Sequence, residues 1–88
     1  MTTATPLHSY QAIEEWLIST WKELLSTDDI GTHSDFFDLG ADSLTVIRLL
    51  SRIQKTFGQN ALEVDTLFVQ SQLSQTANAL YDSIQINN

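Results

Sequence analysis

A histidine, three aspartates and a serine fall within eleven positions of this chain: His33, Asp35, Asp38, Asp42 and Ser43, in "HSDFFDLGADS". Three chemistries could use them. In a hydrolase, His33 would activate Ser43 and Asp35 or Asp38 would orient the histidine. No glycine-flanked elbow surrounds this serine, however, and a histidine in a polar loop is ordinarily just solvated. A calcium site could draw on Asp28, Asp29, Asp35, Asp38 and Asp42. Their spacing misses the twelve-residue template of oxygen ligands at positions 1, 3 and 5 with glycine at 6 and glutamate at 12. The third possibility is covalent modification of Ser43. A serine at a helix start lies where free N–H groups and a partial positive charge favour a bound anion by about 0.3–1 kcal/mol. The plain alternative is that Asp42 or Ser43 only caps the helix, since both are favoured cap residues.

The elements around Ser43 can be read from hydrophobic spacing. In "QAIEEWLISTWKELLS", Ile13, Trp16, Leu17, Trp21 and Leu24 recur at helical intervals, and Glu14, Glu15, Lys22 and Glu23 fill the other face. "TDDIGTHSDFFDLGAD" follows, rich in turn formers, as a long loop pinned by Ile30, Phe36, Phe37 and Leu39. "SLTVIRLLSRIQKTFG" then places Val46, Leu49, Leu50, Ile53 and Phe57 on one broad face, with Gly58 as a stop. "EVDTLF" suits a short third helix burying Leu67 and Phe68, and "QLSQTANALYDSI" a last helix with Leu73, Ala77, Leu80 and Ile84 inward and Ser71 as its cap. The expected fold is all-α, a small four-helix bundle with a short third helix. Residues 1–10 and 83–88 are expected as polar tails and residues 11–82 as the domain.

Composition narrows the function classes. A chain of 88 residues supports one small core, so machinery serving Ser43 is expected on other proteins. Eleven acidic residues against four basic give a net charge of -7, which disfavours nucleic acid and anionic membranes as partners. No apolar run approaches the roughly 18 residues of a membrane span, and "MTTATPLHSYQ" lacks the pattern of a secretory signal. The chain is expected to be cytoplasmic and monomeric. It has no cysteine, so any thiol chemistry must be imported.

"DFFDLGADSLTVIRLL" resembles the prosthetic-group attachment motif of acyl and peptidyl carrier proteins: an aromatic pair, an acid, Leu, Gly, a small residue, Asp or His, Ser, then Leu or Ile. "WLISTWKELL", "RIQKTFG", "TLF" and "ANAL" resemble the family's successive helices, so the likeness covers nearly the whole domain. It implies an acyl-carrier-protein-like fold in which a separate phosphopantetheinyl transferase moves 4'-phosphopantetheine from coenzyme A to Ser43. Acyl or aminoacyl groups would then ride as thioesters between loading and condensing enzymes. Such a carrier catalyses nothing; its tether raises the effective concentration of cargo at each partner. Asp42 matches the family's residue beside the serine, where it is associated with cap geometry and with the magnesium-dependent transferase.

The chain departs from fatty-acid carriers, whose second helix is strongly acidic: nothing acidic lies between Ser43 and Glu63, and Arg48, Arg52 and Lys55 are basic. It looks more like carriers of polyketide, nonribosomal peptide or hybrid synthases. Ala41 stands where peptidyl carriers more often have glycine, Ser71 and Gln72 replace a Pro-Thr, and Thr76 replaces an aliphatic. The rival from another class is a helical interaction domain without a prosthetic group. For docking, the spacing predicts a cationic stripe of Arg48, Arg52 and Lys55 nearly opposite the core, with apolar Leu44 and Ile47 beside it.

Overall fold

The computed structural model describes residues 9–58 and 61–87. Four helices follow one another: α1 Tyr10–Leu25, α2 Ser43–Phe57, α3 Val64–Val69 and α4 Leu73–Asn87. The all-α bundle with a short third helix is therefore observed. α1 packs on α4 and α2, and α3 rests on α4. The residues expected inside α1, α2 and α4 converge on one core, with Ile13, Leu17, Trp21, Leu49, Ile53, Leu73, Ala77 and Leu80 fully buried. Trp16 is only half-buried and meets Phe57 edge-on at 4.9 Å.

The helix ends have local causes. Ser9, next to the segment 1–8 that lies outside the described residues, caps α1 by accepting from Ala12 N at 3.1 Å. Ser26 ends α1 in the left-handed region at φ 54°, a place glycine more often takes. Gly58 stops α2 as expected, at φ 118°, with its N–H donating to Gln54 O at 3.0 Å. α4 does not stop at the boundary drawn at 82: it continues to Asn87, with Ile84 buried.

Two expectations about the second half of the chain need correction. Phe68 is not buried; it is 54% exposed, while Leu67 is fully buried. A helix of six residues offers about one inward position per turn, and a residue 100° round from Leu67 falls outside it. Ser71 does not cap α4 either, because its hydroxyl donates to Asp35 Oδ2 at 2.7 Å. The first N–H groups of α4 are met instead by the long loop: Leu73 N donates to Ser34 O at 2.8 Å and Ser74 N to Thr32 O at 3.0 Å. Thr76, buried in place of an aliphatic, spends its hydroxyl on Gln70 O at 2.7 Å and Gln72 O at 3.1 Å.

Candidate functional site

The loop that leads to Ser43 is built from its aromatic pair outward. Phe36 is fully buried, its ring 4.8 Å from that of Trp21. Trp21 is itself fully buried, and its indole N–H has no acceptor among the described residues. Phe37 leans the other way and stacks on Phe68, with ring centroids 5.1 Å apart and planes 5° from parallel. The exposed Phe68 thus covers the half-buried Phe37.

Asp35 holds this turn. Its Oδ1 accepts from Phe37 N at 2.9 Å and Asp38 N at 3.2 Å, and its Oδ2 takes the Ser71 hydroxyl. Phe36 N donates to Ser71 O at 2.9 Å, so the loop and the start of α4 are laced by backbone as well. The Ser71 hydroxyl, aided by the two backbone N–H groups, holds the Asp35 carboxyl below its ordinary pKa. From there the chain turns through Leu39 N to Asp35 O, 3.1 Å, and Gly40 N to Phe37 O, 3.0 Å. Gly40 sits at φ 104° in open space, so the backbone conformation rather than crowding requires glycine there.

At the tip of α2 the two cap candidates divide the work. Asp42 is the cap: its carboxylate accepts from Thr45 N at 3.0 Å and Thr45 Oγ1 at 2.9 Å. Those bonds, the backbone one first, lower its pKa. Ser43 is the first helical residue, exposed, and no described residue hydrogen-bonds its hydroxyl. A free hydroxyl on a helix tip, beside the positive end of the helix dipole, suits a phosphodiester, so the residues present fit a phosphate-linked group.

The other chemistries find no assembled site. His33 Nδ1 is 3.2 Å from Thr32 Oγ1 and makes no bond to Ser43, and the Asp35 carboxylate is engaged by the loop and Ser71. Among the described residues, no group of three or more His, Asp or Glu side chains could hold a metal ion.

A match to the sequence model of the phosphopantetheine attachment site runs over residues 15–80, most of the chain. The chain belongs to the phosphopantetheine-attachment family. Members carry a covalently attached 4'-phosphopantetheine, and the chain is a carrier domain of this kind. It is similar to a linear gramicidin synthase polypeptide of Brevibacillus parabrevis, at 32% identity over 76 residues, covering 84% of this chain and 1% of that protein. It is 34% identical over 68 residues to the phosphinothricin tripeptide synthetase PhsC of Streptomyces viridochromogenes, 77% of this chain and 6% of that one. With malpinin synthetase of Mortierella alpina the identity is 38% over 66 residues, 75% of this chain and 1% of the other. The carrier domain thus spans only a few per cent, at most, of the length of these relatives. No solved structure gives a significant match.

The carrier domain exposes large apolar side chains on two helices. Leu44 and Ile47 are exposed on α2, as the spacing predicted. α3 adds what sequence reading missed, Phe68 and Val69, the latter 79% exposed. The available signal was three large apolar residues in a row, Leu67, Phe68 and Val69, which a six-residue helix cannot all turn inward. The cationic stripe is also rearranged. Arg48 and Lys55 have no ion-pair partner among the described residues, whereas Arg52 turns to α1 and pairs with Glu23. Among the described residues no helix is long and apolar enough to cross a membrane.

Proposed function

We propose that Ser43 is the residue through which this domain carries 4'-phosphopantetheine, and that the domain hands aminoacyl or peptidyl groups between the domains of a nonribosomal peptide synthetase. One observation carries the site: the hydroxyl of Ser43 stands exposed and unspent at the first residue of α2 because Asp42 has taken the cap. A transferase can then bring coenzyme A to it. The hydroxyl gives up its proton and forms the new P–O bond as the pyrophosphate P–O bond of coenzyme A breaks, with the adenosine bisphosphate leaving. Once attached, the group supplies the thiol that the cysteine-free chain lacks, so that cargo is held as a thioester. In this reading the domain is a carrier: Asp35 is engaged by the loop and Ser71, Asp42 by the α2 cap, and the bond-making steps belong to partner enzymes.

The peptide-synthetase names of the relatives support the pathway, and they make the partners a transferase together with loading and condensing domains. Leu44, Ile47, Arg48 and Arg52 form the α2 part of the docking surface, extended by Phe68 and Val69. A small apolar centre gives contact area while charges set orientation and on-rate. The domain acts as a cytoplasmic monomer in this reading.

The test is intact-mass measurement after incubation with coenzyme A and a broad-specificity transferase. Wild type gains one phosphopantetheine unit and Ser43→Ala gains none. Wild type unchanged, or an alanine variant that is still modified, overturns the assignment.

A further inference from the structure

Three of the four cations in the chain border one groove. Ile47, Arg48, Ser51, Arg52 and Lys55 of α2 face Glu23 and Leu24 of α1 across an open trough of about 480 Å³. The remaining basic residue, Lys22, is on α1. In a domain of net charge -7 this is a local inversion of sign, and no acid of α2 offsets it. Glu23 neutralises Arg52 alone, which leaves Arg48 and Lys55 as the groove's cations without an ion-pair partner among the described residues. Between them the floor is apolar and low: Ile47 is 63% exposed, Leu24 is half-buried, and Ser51 is too small to block close approach.

We infer that this groove takes an acidic amphipathic helix of a partner protein, laid along α2. The spacing of the free charges selects a helix over a strand. Arg48 and Lys55 are seven residues apart on α2, so they are separated by two turns, about 10 Å along the axis. A partner helix presents residues i and i+7 on one face at that same interval. An extended strand, at about 3.3 Å per residue, would need an offset of three, which puts the two side chains on opposite faces. The complementary pattern is therefore a carboxylate at i, apolar residues at i+3 and i+4 over Ser51 against Ile47 and Leu24, and a second carboxylate at i+7. Glu23 acts as a resident competitor, holding one cation that an incoming acid would otherwise share.

This inference deepens the docking surface of the carrier reading, and its test is separable from that reading. The probe is a capped Ala/Gln-based helical peptide of about 16 residues with Glu at i and i+7 and Leu at i+3 and i+4. It is titrated into isotopically labelled protein at about 20 mM salt, where exposed charges are little screened. Amide shifts centred on Leu24, Ile47, Arg48, Ser51 and Lys55 are expected, with a dissociation constant on the order of 10⁻⁴ M, that of a small transient contact. Exchanging both Glu for Gln in the peptide, or making Arg48→Glu with Lys55→Glu in the protein, weakens binding at least about fivefold, and Glu23→Gln strengthens it about twofold. Circular dichroism verifies that each variant is folded. Shifts centred on Phe68 and Val69, affinity indifferent to the charge reversals, or the same shifts produced by inorganic phosphate alone at equal concentration overturn the inference. Intact mass after transferase treatment is recorded in parallel. A protein that binds the peptide but is never loaded defeats the carrier reading alone, and one that is loaded but shows no binding defeats the groove alone.

Discussion

α2 and α4 begin in different ways. α2 is capped from within its own turn, by the Asp42 carboxylate on Thr45 three residues away. α4 is capped from across the chain: the carbonyls of Ser34 and Thr32 take its first N–H groups, and Ser71 is drawn off to Asp35. A local cap depends on two side chains and little else. A remote cap is only as strong as the loop that supplies it, and that loop is held by Phe36 in the core and by the Asp35 turn. Ser43, the proposed attachment residue, sits at the locally capped tip, at the end of a loop that the remotely capped helix keeps in place.

The contrast can be broken hardest at Phe36. Phe36→Ala empties the space against Trp21 and is expected to cost about 3–5 kcal/mol, a large fraction of the stability of a domain this size. Chemical denaturation measures the loss. If the loop is released, Trp21 emission shifts to the red in the native baseline as water reaches the indole, and the amides of Leu73 and Ser74 lose protection from exchange while that of Thr45 keeps it. Equal loss at both helix starts would show that the two caps are not independent.

Asp35→Ala tests the same lacing more gently. Three hydrogen bonds go, partly screened by solvent, for an expected cost of about 1–2 kcal/mol. The sign of its pH dependence follows from a folded pKa below the unfolded value. The stabilisation is present above about pH 3.9 and is lost as the pH falls through the lower folded value. Wild type should therefore lose melting temperature below about pH 4 more steeply than Asp35→Ala. Parallel curves would remove Asp35 from the account of acid sensitivity.

The smallest effect sharpens the division of labour at the α2 tip. Asp42→Ala is expected to lower the melting temperature by a few degrees, through fraying of the first turn. Ser43→Ala should melt with wild type because it removes no hydrogen bond. A Ser43→Ala variant as destabilised as Asp42→Ala would mean that the hydroxyl is part of the cap after all.

This same contrast separates what was legible in the sequence from what was not. α1, α2 and the inward face of α4 could be read because residues such as Ile13, Leu17, Leu49, Ile53 and Leu80 repeat at the helical period. Gly58 announced a stop and the Asp-Ser pair announced a start. Which of that pair caps was undecidable locally, since adjacent residues of the same class compete for the same N–H group. Ser71 misled because it is a good cap residue by type, while its partner Asp35 is 36 positions away and leaves no trace in the local pattern. Phe68 misled for lack of length, six residues being too few to show a period. Glu23 gave no sign that it would reach Arg52, 29 residues on. For the candidate site, the exposed position of Ser43 at the start of α2 was legible in the sequence, and the apolar face of α3 and the groove beside α2 were not, because both depend on which elements meet.

The loop-to-α4 lacing also bears on when the tip of α2 takes shape during synthesis. The carbonyls of Thr32 and Ser34 and the carboxylate of Asp35 emerge from the ribosome long before Ser71, Leu73 and Ser74, the residues that bind them. A nascent chain that has displayed Ser43 but not yet Leu73 therefore has its motif in full and none of the bonds that tie the preceding loop to α4. The segment around Ser43 acquires its final surroundings only when α4 arrives, so a later stretch of the domain decides when an earlier one is finished.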